Sequence, residues 1–443
     1  MTHSDSHAAR ARHGGESFRF IHAGDFHLET PPGDFDSLPE TLLADVAAAP
    51  RKAAAAVFDA AVAENIDFLV LTGDLVAPAA AGPHGVSLLL DGFERLHAAD
   101  TPVYWAAGLV DDPARLPDAL PLPPNVTLLP KQAPVVIPVE RGGRVIANII
   151  GRSCDGRRTL STAGFRTDDD GLFRLGVAHG TADAASLADA GPDYWCLGSA
   201  HNRVEHRDAD GRPVAAQCGS PQGRSHDEPG PHGYSIVDVD SAGNTRVHHV
   251  DTDIVRYQTL KIEPTDWSGN FAGHMAARLA RLSSDAGGCH VLVRVEVQDH
   301  HRSAFDGGVA SRIDADRLMR DLRRSHGGGN PAVYVTDVVI PPTTEYPAAW
   351  TEEDTILGDF LRVATGRAAN PGGEGTIGLA SFADDEHVAP AARPPLLDVP
   401  PELASDLIAD ATAMGVDLLR GDTLPTAPAQ QRQTNVTLTG SNA

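Results

Sequence analysis

Asp25 and His27 stand two residues apart in Ile21-His-Ala-Gly-Asp-Phe-His-Leu-Glu29, directly after the apolar run Phe18-Arg-Phe-Ile-His22. A strand ending in Asp-x-His holds a carboxylate and an imidazole at one terminus, where both can reach a single metal ion. Further donors follow other apolar runs. Asp74 lies in Thr72-Gly-Asp74-Leu75, just past Asp67–Leu71, where a carboxylate after a close-turning glycine can bridge two ions. His179 follows Gly176-Val-Ala178, and His201 closes Gly198-Ser-Ala-His201 after Asp193–Leu197. Oxygen and nitrogen donors without thiolate suit manganese, iron or zinc. Taken singly, each of these residues is more often a cap or a hydrogen-bonding group. The ordered set at successive strand ends is what points to a metal centre, because open α/β sheets build sites in this way.

The elements that must carry these donors are legible as alternating strand-like and helical patterns from Phe18 to about Val250. Strand-like runs include Pro102–Ala106, Val145–Ile150 and Leu172–Val177, and Lys52–Asn65 reads as a helix. That alternation predicts an α/β layered fold. A second set of elements reads strand 258–263, helix 274–282, strand 290–297, helix 313–324, strand 332–339, a compact split βαβ-like unit. Thr351-Glu-Glu-Asp354 has the form of a capping box opening a helix through Leu357, Phe360 and Leu361. A Gly/Pro/Ala-rich linker from about Thr365 to Val399 leads to Pro400-Pro401 and a second helix with Leu403, Leu407, Ala411, Met414 and Leu418 on one face. Those two helices can dock on the protein's own core or present a groove to a partner helix.

The chain has 443 residues, 42% of them hydrophobic, which predicts two or three domains. No apolar run reaches the roughly 20 residues of a membrane helix, so no membrane association is expected. The start lacks the basic-then-apolar order of a signal peptide and reads as a disordered tail. Cys154, Cys196, Cys218 and Cys289 form no Cys-x-x-Cys pair, which suits a reducing cytoplasm. A net charge of −24 disfavours an overall electrostatic embrace of nucleic acid, while leaving room for a local basic channel or for metal ions that supply positive charge.

The ordered donors resemble the calcineurin-like metallophosphoesterase superfamily, whose motifs run D-x-H, G-D, G-N-H-D/E, H and G-H-x-H. Within it the chain is similar to SbcD-type DNA repair exonuclease subunits, including the YhaO type. Asp25-Phe-His-Leu-Glu-Thr-Pro sits where that group has D-x-H-L-D-S-P, and Cys218-Gly-Ser-Pro-Gln-Gly-Arg-Ser225 resembles its P-G-S-x-Q-x-R-S segment. The resemblance implies a four-layer sandwich of two mixed sheets flanked by helices, with a small α+β capping domain and C-terminal helices. The corresponding divisions are a tail at 1–16, the metallophosphoesterase domain at 17–250, the capping domain at 251–342 and the C-terminal helices and linker at 343–443. It implies manganese as the divalent metal, DNA as a substrate, and an SbcC-like coiled-coil ATPase bound through the C-terminal helices. Members of the group commonly form homodimers.

Carried over residue by residue, the first metal would be held by Asp25, His27, the bridging Asp74 and His201, all present. The second would use Asp74, His179, the Asn of G-N-H-D and the first His of G-H-x-H. Here Gly108-Leu109-Val110-Asp111 aligns on G-N-H-D, so Leu109 replaces the Asn and Val110 replaces the His that protonates the leaving oxygen. Ser199 replaces the first His of G-H-x-H. Leu and Val neither ligate a metal nor transfer a proton, so the resemblance implies a phosphoesterase whose second metal half is degenerate and whose catalytic His is missing. Asp111 or Asp112 could lend a carboxylate, although the corresponding acid of the family serves a structural hydrogen bond.

Other groups are open to two readings. Arg224 could face a phosphate or brace a loop. His226 and His248-His249 read as solvent-exposed histidines, Arg320, Arg323 and Arg324 as a solvated basic face, and Trp105 as core. Gly327–Gly329 has no following Lys-Ser/Thr and reads as a turn rather than a phosphate-binding loop.

Overall fold

A computed structural model of the chain describes residues 15–33, 38–77, 80, 82–112, 122–168, 170–262, 271–297, 315–339, 346, 348–368, 408, 411–416 and 418–420. The chain divides into two compact units. The first comprises Met1–Lys261, Gly269–Glu296 and Ala315–Val338; the second comprises Ile262–Ser268, Val297–Asp314 and Val339–Ala443.

The first unit begins with β1 (Phe18–Ala23), α1 (Glu40–Ala63), β2 (Phe68–Leu71), α2 (Gly82–Ala98), β3 (Val103–Trp105) and β4 (Val126–Leu128). It continues with β5 (Val135–Arg141), β6 (Arg144–Gly151), β7 (Phe173–His179), α3 (Ala184–Asp189), β8 (Tyr194–Gly198), β9 (Val204–Arg207) and β10 (Pro213–Gln217). Next come β11 (Gly233–Val239), β12 (Thr245–Asp251), β13 (Val255–Ile262), α4 (Phe271–Asp285), β14 (His290–Val297), α5 (Ala315–His326) and β15 (Val333–Val339). Two six-stranded sheets run β12-β11-β1-β2-β3-β4 and β5-β6-β7-β8-β10-β9, and a three-stranded sheet runs β13-β14-β15. In the first sheet β1, β2, β3 and β4 are parallel neighbours and β11 is antiparallel to β1; in the second, β6, β7, β8 and β10 are parallel. The α/β class expected from the alternating patterns, and the mixed sheets that the resemblance implies, are therefore present.

The period-two alternation of the strands sorts side chains between two faces. Phe18, Phe20, Phe68, Val70 and Tyr104 of one sheet meet Ala147, Ile149, Leu175, Val177, Tyr194 and Cys196 of the other in a shared core. The opposite face of the first sheet, with Ile21, Leu69, Leu71 and Trp105, packs on Val57, Phe58 and Ala61 of α1 and Leu89 and Phe93 of α2. The opposite face of the second, with Ile150, Trp195 and Leu197, packs on Leu187 of α3 and on Phe165. Helix, sheet, sheet and helix thus form four layers. The same alternation sends Phe173, Leu175 and Val177 between the sheets, and two residues later His179 emerges on that face at the strand end.

Helix α1 is longer than the pattern at Lys52–Asn65 suggests. It starts at Glu40 and passes through Pro50. An interior proline costs roughly 3 kcal/mol, but Leu42, Val46 and Ala49 bury against Val255, Tyr257, Leu292 and Tyr334 of the small sheet. That packing extends the helix past the point where local propensity would end it.

In the second unit, α6 (Ala348–Glu352) and α7 (Ile356–Ala368) follow each other closely. The expected capping box at Thr351–Asp354 does not open α7. Thr351 lies in α6, and Thr355 Oγ1 accepts from Gly358 N at 3.1 Å, which makes Thr355 the cap. Leu403, Leu407 and most of the linker fall outside the described residues. Residues 411–416 are helical, yet Met414 and Leu418 are 52% and 56% exposed while Ile408 and Val416 are buried, so the covered stripe differs from the one the spacing predicts. Among the described residues no helix is long and apolar enough to cross a membrane, and the four cysteines are free thiols.

Candidate metal centre

The site lies past the C-terminal ends of the parallel strands β1, β2, β3, β7 and β8. The chain turns sharply there. Asp25, His27, Asp74 and Ser199 all have φ in the left-handed region, at 55°, 42°, 52° and 90°. Such conformations are uncommon for residues other than glycine and persist where surrounding structure enforces them. Here the two loops are zipped together: Asp25 N donates to Gly73 O (2.8 Å), His27 N to Asp74 O (2.9 Å) and Leu28 N to Leu75 O (3.1 Å). Gly108 is required by close approach, since a Cβ at that position would lie 2.3 Å from Asp74 Oδ1.

Five residues singled out in the sequence converge. Ligand atoms of Asp25, His27 and His201 lie within 4.8 Å of one another, and so do those of Asp25, Asp74 and His179. Asp74 Oδ2 sits 3.7 Å from His27 Nε2 and 3.4 Å from His179 Nε2. Each of the three imidazoles is held by its other nitrogen. His27 Nδ1 donates to Glu29 Oε1 (3.0 Å), His179 Nδ1 to the Thr72 carbonyl (2.7 Å) and His201 Nδ1 to Glu228 Oε1 (2.6 Å). This arrangement turns Nε2 of His27 and His179 toward the carboxylates, the pattern by which partners behind a ligand fix its tautomer and direction, while His201 Nε2 also lies 3.4 Å from Arg224 Nη2. His27 Nε2 and His179 Nε2 are buried and have no hydrogen-bond partner. Buried polar atoms rarely go without one, so two orphaned imidazole nitrogens beside two buried carboxylates fit a divalent cation.

The charges of the pocket are mutually dependent. Burial pushes the Asp25 carboxyl up, against the pull of His179 and His201. Burial acts the same way on Asp74, but His179 and His27 outweigh it and hold Asp74 well below the usual carboxylate range. Burial opposes charge on His179, yet Asp74 and Asp25 together raise it to about 9. A cation held at Nε2 would take the place of that proton, so binding there would release one.

Leu109, Val110 and Ser199, the positions where the resemblance implies replaced residues, all contact the site through their main chain. Leu109 N and Val110 N donate to Asp74 Oδ1 at 2.5 and 2.9 Å, and Ser199 N donates to both oxygens of Asp25 at 3.1 and 3.0 Å. Their side chains bring no ligand nitrogen or proton donor of the expected kind. Sequence reasoning left the second half with Asp74 and His179 as strong donors and Ser199 as a poor third; the geometry adds Asp25 as a donor common to both groups.

Asp111 offers no carboxylate to an ion. It is fully buried and accepts from Asp74 N, Leu75 N, Trp105 Nε1 and Gly108 N. Burial and the neighbouring Asp74 charge push its carboxyl up to about 6. Asp111→Ala would strand four buried donors and is expected to lower stability by roughly 3–5 kcal/mol, measured by urea unfolding. Asp112 pairs with Lys131 at 2.5 Å.

Sequence reasoning gave no role to Glu29 or Glu228. Glu29 reaches His27 through Oε1 and the Ala77 amide through Oε2 (2.9 Å). The signal was available as a His-x-Glu spacing, which places both side chains on one turn. Glu228 is held near pKa 2, with burial opposed by His201 and Arg224. Arg224 is 6% exposed, with Nη2 2.9 Å from His201 Nδ1 and 3.3 Å from Glu228 Oε1. Because His201 Nδ1 gives its proton to Glu228, Arg224 braces the imidazole through that carboxylate, donating to Oε1 from Nη2 and to Oε2 from its main-chain N (2.9 Å). Glu29→Gln is expected to weaken cation binding roughly 10–100-fold by loosening His27, read by manganese titration calorimetry.

Of the remaining groups, Trp105 is fully buried and Arg323 braces β15, donating to Val335 O and Thr336 O. His226 is not solvent-exposed as its polar neighbours suggest. It is 6% exposed because its loop runs against the small sheet, where Nε2 lies 2.7 Å from Thr336 Oγ1. His249 is also largely covered, with 12% of its side chain exposed, whereas His248 is exposed.

Residues 18–168 match the calcineurin-like phosphoesterase family. An uncharacterized metallophosphoesterase, YhaO of Bacillus subtilis strain 168, is 31% identical over 238 residues, which is 50% of this chain and 57% of that protein. The chain thus spans little more than half the length of this relative. Among solved structures, TT1561 of Thermus thermophilus is 13% identical with a TM-score of 0.32, covering 53% of this chain and 99% of that one. Divalent metal binding is what the matched family implies, and the two donor groups are the candidates for it.

Proposed function

We propose that the protein is a metal-dependent phosphoesterase of SbcD/YhaO-type descent with one strong metal site and a weakened second one. The observation that carries this reading is the convergence of three pinned imidazoles on Asp25 and Asp74, next to a half in which Leu109, Val110 and Ser199 offer only main-chain N–H groups. Asp25, His27, His201 and Asp74 would hold the first ion, manganese, and Asp25, Asp74 and His179 would hold a second ion weakly. A bound ion would supply Lewis-acid charge at a phosphoryl centre. Around it Glu29, Thr72 and Glu228 orient the imidazoles, and the Leu109, Val110 and Ser199 amides hold the carboxylates in register. No side chain at position 110 donates a proton to a leaving oxygen, so exonuclease action on DNA is slow or lost, and the protein serves as a DNA-sensing or scaffolding subunit. The C-terminal helices bind an SbcC-like coiled-coil ATPase. Ile356, Val363, Met414, Leu418 and Leu419 in that region are large, apolar and exposed, and suit such a contact.

The test joins metal content to a manganese-dependent exonuclease assay on the pure protein. One tightly held ion and weak nuclease activity are expected. Vigorous exonuclease activity abolished by Asp74→Ala would overturn the weakened centre, and absence of any bound divalent ion would overturn the metal reading. A second reading, a single-metal phosphodiesterase acting on a smaller substrate, is favoured by the retention of His179 with Nε2 aimed at Asp74. Turnover of a small phosphodiester without DNA cleavage would select it.

A further inference from the structure

Between Ser220 and Glu228, alternate side chains grip two different parts of the first unit. Gln222, 3% exposed, uses all four hydrogen-bonding positions of its amide. Its Oε1 accepts from Ile254 N (2.8 Å) and Val255 N (3.3 Å), and its Nε2 donates to Val255 O (2.5 Å) and Gly223 O (2.7 Å). Two residues on, Arg224 lies against His201 and Glu228. Two further on, His226 reaches Thr336 of β15 and sets its ring edge-on to Tyr257 of β13, with centroids 5.2 Å apart. Glu228, again two residues on, accepts from His201. Positions 222 and 226 thus hold the three-stranded sheet, and positions 224 and 228 hold the imidazole of the first donor group. The flanks are tied nearby: Gly230 N donates to Tyr257 O of β13 (3.0 Å), and Thr252 Oγ1, in the link leading into β13, donates to Pro221 O (2.8 Å).

We infer that Gln222 and His226 are positioning residues, which couple the seating of the β13–β15 sheet to cation affinity at the Asp25–His27–His201 group through Arg224 and Glu228. This rests on the metal reading given above. The physical basis is that a buried polar network with its partners satisfied is stiff. A displacement of the sheet either breaks the Gln222 and His226 contacts or carries the segment with it, and Arg224 and Glu228 then shift His201. Coupling of this kind is reciprocal: if the sheet sets cation affinity, the cation steadies the sheet.

Two measurements on the full chain test it. The first is amide hydrogen exchange with and without Mn²⁺. The amides of Ile254 and Val255 report the Gln222 contact directly, and Mn²⁺ is expected to slow their exchange in the parent protein and not in Gln222→Met. The second is Mn²⁺ titration calorimetry of Gln222→Met and His226→Leu, each expected to bind about 10-fold more weakly at the first site, as disturbing a ligand's supporting partners does. The inference is overturned if Mn²⁺ binds the parent tightly while exchange at Ile254 and Val255 is unchanged. It is equally overturned if folded variants bind with parental affinity. Should either variant fail to fold, exchange in the parent decides the matter alone. Absence of Mn²⁺ binding in the parent overturns the metal reading itself, which separates the two failures.

Discussion

Restoring Leu109→Asn, Val110→His and Ser199→His together is expected to raise tightly bound manganese from one ion towards two and to confer or increase exonuclease activity. A general acid contributes roughly 10²–10⁴-fold, and a firmly held second ion adds to that, because two-metal sites stabilise both attacking and leaving oxygens. The scaffold for this gain is in place. Leu109 and Val110 hold Asp74 through their amides, and Ser199 holds Asp25 in the same way, so changing the side chains leaves these contacts to the main chain. Val110 and Ser199 are partly exposed and Leu109 lies beside them at the same strand ends, so larger or polar side chains there have solvent to enter. Ser199 already holds a φ of 90°, and histidine is among the residues enriched at positive φ. Metal analysis by elemental spectroscopy and a nuclease time course check the result. Unchanged stoichiometry would mean that these three residues do not occupy the motif positions assigned to them.

The strand ends and their donors were legible because the chemistry and the periodicity fall in the same places. Phe18–Ala23, Phe68–Leu71 and Phe173–His179 are short apolar runs bounded by turn residues, and each ends on or just before a potential ligand. The extent of α1 was not legible, because it depends on burial of Leu42 and Val46 against strands more than 200 positions away in sequence. The same applies to His226, whose polar neighbours suggest a surface loop until the small sheet is seen to cover it. Within the site, the candidate donors could be read from spacing, but their sharing could not. That Asp25 serves both donor groups is a property of two loops zipped at left-handed residues, and no local pattern encodes it. Glu29 and Glu228 stayed silent for a related reason, since a carboxylate behind a histidine looks in sequence like any surface acid.

Asp25 therefore carries the second large prediction. Asp25→Asn keeps the volume and one oxygen for the Ser199 amide but removes the charge shared by both donor groups. It is expected to weaken both ions at least about 100-fold, whereas His201→Ala should affect only the first and His179→Ala only the second. Thermal unfolding gives a readout independent of catalysis. A ligand present at 100 times its Kd stabilises the folded state by about 2.7 kcal/mol, so the parent protein should show a clear Mn²⁺-dependent rise in Tm. Asp25→Asn should show almost none. Stripped of metal with a chelator, the variant should be no less stable than the parent, because burial opposes the Asp25 charge more than His179 and His201 favour it. A cluster held together only by its own hydrogen bonds would behave in the opposite way, with Asp25→Asn destabilising the stripped protein and Mn²⁺ leaving both proteins unchanged. If Asp25→Asn instead loses one ion and keeps the other at parental affinity, Asp25 is not shared, and the second group must draw its third ligand from elsewhere.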